Sequence, residues 1–322
     1  MSKSFDNTLS SIKSQSHGRL DAVEQVYFAR QLEYMKSKSY DIKYPTKKAR
    51  QILPVSFEVP NGAETIKYEQ FDSVGAAKII NNYAKDFRRV DVKGKEYISN
   101  IKSIGDSYAW NIQEIRAAQL KGMNLQQSRA NVARKAAIDL ENTIALFGDA
   151  AYGLGGFLTN ANITTGTVTA DGVGATTTWS TKSPDQILRD MNDAVTGIVD
   201  LTNGVEAPNS MLLPIEQYNL IASKRLGNGS DITVLKHFLE VNPFIQSVDW
   251  LVELKAANND SYSNDAMVVY DRNPDKLTLE IPQEFETFPP FREHLDFVVD
   301  AHERIGGVIV YYPLSIALYE GI

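Results

Sequence analysis

The 322-residue sequence predicts an α+β fold, and three observations carry that prediction. Strand-like alternation dominates from Val55 to about Ile112, and one long run of helical periodicity extends from about Leu125 to Phe147. From Ser183 onward, helix and strand signals follow one another without the regular alternation of a parallel α/β sheet.

The totals narrow the class. The chain is long enough for two modest domains, or for one with extensions. The absence of cysteine excludes disulfides and thiolate sites and agrees with a reducing compartment. A net charge of −7 lacks the basic surplus of a general nucleic-acid binder. Residues 1–50 hold ten Lys or Arg against five Asp or Glu, so they carry +5 and leave −12 for the rest. A basic end on an acidic body implies a tail with an electrostatic partner of its own; the plainer reading is a solvated terminus. The polar start, Met1 to Asp6, has no apolar core for a signal peptide, and no stretch has the apolar length to cross a bilayer.

Residues 1–19, rich in Ser and Lys, read as an extended arm. Asp21 and Glu24 form a capping pair for a short helix whose apolar face is Leu20, Val23, Tyr27, Phe28, Leu32 and Met35. Pro45 and Pro54 break the chain. The alternating runs that follow are punctuated by Gly94 and Gly105 and have little to bury of their own. Their centre mixes acids and bases: Asp86, Arg88, Arg89, Asp91, Lys93 and Lys95. A poorly buried hairpin of this length makes sense if another subunit covers it, and these six residues are the candidate inter-subunit contacts.

The long helix is expected to be capped by Asn124, with Gln127 as reciprocal partner. Its buried stripe is read as Ala133, Ala136 or Ala137, Leu140, Ile144 and Phe147, and Gly148 stands where a left-handed cap belongs. At 1.5 Å per residue it is ~35 Å long. The Thr- and Gly-rich stretch 160–181 reads as a turn, a strand and an exposed loop or linker. Ser183-Pro184-Asp185-Gln186 is a capping box opening a helix whose stripe is Ile187, Met191, Ala194 or Val195, and Ile198. Asp190, Asp193 and Asp200 are taken as its solvated face. A strand at Ser210–Leu213 precedes a helix from Pro214 to near Gly227, and Ser230 is the expected cap of another helix carrying Ile232, Leu235, Phe238 and Leu239. Strands are expected at Val248–Leu254, Ala266–Tyr270, Leu277–Ile281 and through the apolar C-terminal stretch.

No catalytic, cofactor or metal constellation emerges. His17, His237, His294 and His302 show no zinc spacing, and neither an HExxH helix nor a Gly-x-Ser-x-Gly elbow occurs. Gly153, Gly155 and Gly156 follow a helix, whereas a dinucleotide loop follows a strand, and no Walker lysine is present. No catalytic pair can be selected among forty acids without geometry. A structural or binding role therefore outranks an enzymatic one.

The order of segments resembles the tailed-bacteriophage major capsid proteins, whose fold is shared with encapsulins. The resemblance lies in Glu114-Ile115-Arg116-Ala117-Ala118, Gly122, the helix with Arg129, Ala133-Arg134-Lys135-Ala136 and Asn142, then Leu146-Phe147-Gly148-Asp149 and Gly153-Leu154-Gly155-Gly156-Phe157. Arg304-Ile305-Gly306-Gly307, Tyr312-Pro313 and Gly321-Ile322 extend it to the C-terminus. It covers most of the chain through the order of its parts, none of them specific alone.

The resemblance implies an N-terminal arm at 1–50, an extension-loop hairpin at 51–112 and a peripheral domain at 113–182 with a spine helix at about 125–147. It further implies an axial α/β domain at 183–274, return strands of the peripheral domain at 275–310 and a C-terminal strand at 311–322. The implied role is a non-enzymatic shell subunit without cofactors, assembled in the host cytoplasm into hexamers and pentamers of an icosahedral virion shell around double-stranded DNA. Its partners would be further copies of itself and separate scaffolding, portal and decoration proteins, with no membrane involved. Only about fifty residues precede the hairpin, so any scaffold is expected to be a separate protein or already removed. No Lys–Asn pair stands out for crosslinking. An encapsulin-type compartment for protein cargo remains an alternative, as does a soluble α+β enzyme or ligand-binding protein. The +5 arm is read as facing packaged DNA or an acidic neighbour. Deleting residues 1–19 is expected to alter particle yield or retained DNA, measured by sedimentation and nucleic-acid content; no change in either would remove that role from the arm.

Overall fold

In the computed structural model, the described residues are 46–74, 91–121, 125–227, 231–258 and 261–322. The arm, the Asp21 helix, the centre of the hairpin and the Asn124 and Ser230 caps lie outside them. The first elements are α1 (Ala49–Ile52), β1 (Val55–Ser56), β2 (Thr65–Val74), β3 (Asp91–Asn100) and β4 (Lys102–Asn111). Of the strands in the expected hairpin region, only β2 and β3 pair with each other; β4 leaves them to form a ten-pair antiparallel ladder with β12 (Asp296–Ile305). The opposite edge of β12 takes β10 (Gln283–Thr287) and β11 (Phe291–Glu293) in turn. Gly94 and Gly105 lie inside β3 and β4, where punctuation was expected. At Gly94 the reason is local: the Phe71 ring crosses over it, and a Cβ there would sit 3.1 Å from Cε1 of that ring.

Two helices follow, α2 (Ile112–Lys121) and α3 (Leu125–Phe147). The buried face of α3 is Ala133, Ala137, Glu141, Ile144 and Ala145. Small residues let the helix lie close on β4 and on β13 (Gly307–Val310). Leu140, expected in the stripe, falls at the rim of that face and is 45% exposed. Gly148 ends the helix at φ +70°, where a Cβ would lie 2.6 Å from Leu154 O. The glycine-rich segment then doubles back and satisfies the last helical carbonyls. Phe157 N donates to Ala145 O at 2.9 Å, Leu158 N to Leu146 O at 2.8 Å and Thr159 Oγ1 to Phe147 O at 2.6 Å. A side chain at Gly156 would meet Phe147 C at 2.3 Å, so this return needs glycine there.

The remaining elements are β5 (Thr164–Thr167), α4 (Pro184–Leu201), β6 (Ser210–Leu213), α5 (Ile215–Ser223), α6 (Val234–Val241), β7 (Ser247–Trp250), β8 (Ala266–Tyr270), β9 (Leu277–Glu280) and β14 (Ile316–Glu320). The capping box of α4 forms on both sides, Gln186 N to Ser183 Oγ at 3.3 Å and Ser183 N to Gln186 Oε1 at 2.7 Å. Three boundaries differ from expectation. Helix α5 stops at Ser223; α6 starts later, with Thr233 as N-cap; and β7 gives way to a 3-10 turn at Val252–Leu254. One sheet has the order β5-β14-β8-β6-β7, another β1-β9-β13. In the five-stranded sheet, Leu212, Val268 and Leu318 face a core with Leu146, Phe157 and Ile305. Their neighbours Met211, Leu213, Met267, Val269 and Ala317 face a second core with Trp179, Met191 and Phe238. Alternation along each strand thus feeds two cores, and both faces of the sheet are dry.

In the 160–181 stretch the expected strand is β5, an edge strand of the five-stranded sheet, and most of the loop after it is exposed, but Trp179 near its end is fully buried. One expectation is corrected beside this second core: Asp190 is not solvated. It accepts from Trp179 Nε1 at 3.1 Å and from Lys182 Nζ at 2.5 Å, and the Lys182 side chain is wholly enclosed. Thr169 O and Asp171 Oδ1 surround the same ammonium at 2.6 and 3.1 Å, and Asp171 also pairs with Arg189. The Arg189 guanidinium, more than Lys182, holds the Asp171 carboxyl below the usual range. A buried ammonium needs its donors used: Asp190 of α4 and Thr169 O of the loop accept from it, and the Asp171 carboxylate of the loop adds an ion-pair contact. Lys182→Met should therefore destabilise the chain by about 3–5 kcal/mol by stranding Asp190, and adding Asp190→Leu should recover part of the loss. Urea unfolding of the single and double variants measures both.

Candidate assembly surface

The β2–β3 ribbon runs in register from Thr65↔Asn100 to Val74↔Asp91 and joins no other sheet among the described residues. An isolated two-stranded ribbon is marginal in water, so what holds it matters. One face is tied to the body. Tyr68 stacks on Tyr97 with ring centroids 5.1 Å apart and meets Tyr311 edge-on at 5.0 Å. Ser99 Oγ on the same face donates to Gly306 O at 3.3 Å; at the ribbon's base Asn100 Nδ2, in the register of Ile98, donates to Tyr152 O at 3.2 Å, and Arg304 Nη2 donates to Ala63 O at 2.7 Å. Burial pushes the Tyr68 and Tyr311 hydroxyls above their usual pKa. A groove of about 360 Å³ runs beneath this face, lined by Tyr68, Gln70, Val310 and Pro313 among others.

The other face is open. Cross-strand register puts Lys67, Glu69 and Phe71 on it with Ile98, Glu96 and Gly94. Phe71 is 64% exposed and Ile98 61%, and Lys67 pairs with Glu96 between them. More exposed apolar residues lie on α2 and α3 (Leu120, Val132, Ile138) and along the β10–β12 edge (Phe288, Phe291, Leu295).

Of the six charged residues singled out from sequence, Asp86, Arg88 and Arg89 lie outside the described residues. Asp91, Lys93 and Lys95 lie on β3, paired with Val74, Asp72 and Gln70. Lys95 Nζ sits 4.7 Å above the Tyr97 ring. Sequence patterning missed the exposed pair Phe71 and Ile98, though their alternation with polar neighbours was readable. Among the described residues no group of three or more His, Cys, Asp or Glu is placed to hold a metal. No described helix is long and apolar enough to cross a membrane.

Solved structures share this arrangement across nearly the whole chain. The capsid of Myoviridae phage XM1 matches with a TM-score of 0.77 at 17% identity, covering 91% of this chain and 98% of the other. A Mycobacterium phage Ogopogo structure matches at 0.60 and 12% identity, covering 91% and 97%. A virus-like particle from Pyrococcus furiosus matches at 0.50 and 13% identity, covering 84% and 91%. The fold is thus the α+β phage major-capsid fold. No curated protein matches in sequence. The family model for major capsid proteins matches residues 75–322, and the chain belongs to that family. It is a structural capsid protein and not an enzyme.

The Tyr68–Tyr311 contact holds the ribbon base. Tyr311→Ala should remove about 0.5–1.5 kcal/mol of aromatic contact. Limited proteolysis should then cut within 65–100 several-fold faster while the rest of the chain keeps its resistance.

Proposed function

We propose that this chain assembles with copies of itself into hexamers and pentamers of an icosahedral shell that encloses double-stranded phage DNA. In this reading, residues 1–50 form the arm and 51–112 the extension loop. Residues 113–182 and 275–310 build the peripheral domain, 183–274 the axial domain around the capsomer centre, and 311–322 the closing strand. The observation that carries it is the ribbon, whose open face leaves Phe71 and Ile98 exposed and uncovered by any other described residue. The likeness to the XM1 capsid over 91% of the chain supports the same conclusion. Separate scaffolding, portal and decoration proteins belong to this reading as partners.

Asp86, Arg88, Arg89, Asp91, Lys93 and Lys95 are the proposed inter-subunit charges. Exposed ion pairs contribute only ~0–1 kcal/mol each, so their part is to set register and encounter rate, with shell stability drawn from many apolar contacts. Negative-stain microscopy of purified protein should show cages or capsomers, and their contents distinguish a DNA-filled shell from a compartment for protein cargo. Reversing Arg88 and Arg89 to Glu should slow assembly several-fold at low salt, with the difference closing at high salt. Light scattering follows this; equal rates at low salt would remove these charges from the interface, and a persistent monomer at high concentration would overturn the shell itself.

A further inference from the structure

The chain enters the ribbon, between β1 and β2, through the turn Pro60-Asn61-Gly62-Ala63, closed by Ala63 N donating to Pro60 O at 3.0 Å. Asn61 and Gly62 are both exposed, and a Cβ built on Gly62 would meet nothing within 4 Å. Among the described residues, neither the Asn61 side-chain amide nor the Gly62 N–H makes a hydrogen bond. A glycine nitrogen, with no Cβ beside it, is the least hindered backbone nucleophile. Here it directly follows a side-chain amide, the electrophile it can reach.

Arg304 of β12 completes the site. Its Nη1 donates to Asn61 O and its Nη2 to Ala63 O at 2.7 Å. Among the described residues no carboxylate pairs with this guanidinium, and its buried Nε has no acceptor. A cation thus rests on the carbonyl of the very amide whose nitrogen is Gly62 N. When that nitrogen loses its proton, negative charge spreads onto Asn61 O, where the guanidinium stabilises it. Two other Asn-Gly pairs occur in the chain. Asn228-Gly229 lies outside the described residues. At the end of α4, Asn203 is at φ +52° and Gly204 N donates to Val199 O at 2.8 Å, so there the same nitrogen is engaged.

We propose that Asn61 is a self-modifying position: it deamidates through a succinimide, promoted by Arg304, to an isoaspartate whose carboxylate stays on that arginine. Gly62 N gives its proton to water or hydroxide and attacks Asn61 Cγ. The new N–Cγ bond forms, the bond from Cγ to the side-chain nitrogen breaks, and that nitrogen takes up a proton and leaves as ammonia. Water then adds to one carbonyl of the succinimide ring. Arg304 polarises the Asn61 main-chain carbonyl, so water adds there. The bond from that carbon to Gly62 N breaks, while the nitrogen keeps its new bond to Cγ. The main chain then runs through Cβ and Cγ, one carbon longer, and Asn61 O becomes one oxygen of a free carboxylate. Its hydrogen bond from Arg304 becomes charge-assisted, roughly twice as strong as a neutral one. The guanidinium thereby gains the carboxylate partner it lacks, at the foot of the ribbon.

The test incubates the purified full-length chain in warm, mildly alkaline buffer. Peptide mapping by mass spectrometry, with electron-transfer fragmentation to separate isoaspartate from aspartate, follows each asparagine. The Asn61 peptide should convert several-fold faster than the Asn203 peptide, with isoaspartate as the main product. Gly62→Ala, where the structure leaves room for the methyl group, should hold the amide. Arg304→Gln should slow the conversion several-fold and shift the product towards aspartate; a turn that is merely looser would leave the product ratio as it was. An Asn61 that stays an amide in the parent chain, or converts no faster than Asn203, overturns the site without any variant. An unchanged product ratio in Arg304→Gln overturns the part given to Arg304.

Discussion

The five-stranded sheet has no wet face, and much else follows from that constraint. Each of its inner strands must supply apolar residues at consecutive positions, and Met211-Leu212-Leu213, Met267-Val268-Val269 and Ala317-Leu318 do so. Because β14 lies between β5 and β8, the sheet is completed only when the last residues of the chain arrive. The two cores are therefore coupled through one set of strands. A cavity at Leu212 would be felt from its neighbours Met211 and Leu213 on the other face, since well-packed interiors transmit such shifts.

The first core extends to the β4–β12 ladder, over which α3 lies. Alanine at 133 and 137 sets the close approach, and the glycine-rich return after Phe147 fixes where the helix stops. Ladder and helix together orient the ribbon, because β3 passes into β4 through a single residue, Ile101, which is itself buried. The ribbon is thus rigidly rooted but, among the described residues, covered on only one side. Its open face does not contradict a stable fold, because the stability resides elsewhere.

Local signals were legible in the sequence and long-range ones were not. The α4 capping box, the Gly148 stop and the extent of α3 all depend on residues within a few positions of one another. Asp190 looked like one of three acids on a wet helix face, because the partners that bury it, Trp179 and Lys182, lie in the preceding loop, whose Thr- and Gly-rich composition hid its packing. Leu140 was misplaced because apolar periodicity cannot tell the middle of a helix face from its rim. Arg50 holds Glu141 and Glu284, which are 91 and 234 positions away from it in the chain, beyond the reach of any motif. Of the proposed contact surface, the mixed charges were visible as composition; the exposed Phe71 and Ile98 needed the strand register to be seen as one face.

Magnitudes decide what the open ribbon face can contribute. Covering an exposed Phe or Ile gains about 1.5–3 kcal/mol, whereas an exposed ion pair gains ~0–1 kcal/mol and loses part of that to salt. Phe71 and Ile98 are therefore the affinity-bearing residues of that face, and Lys67 and Glu96 between them pair within the ribbon and so do not need a partner. One such contact, after the entropy of association, makes a weak dimer. Repetition is what turns contacts of this size into a lasting structure. It requires a scaffold stiff enough to present the face in the same geometry every time, and the doubly buried sheet and the rooted ladder meet that requirement.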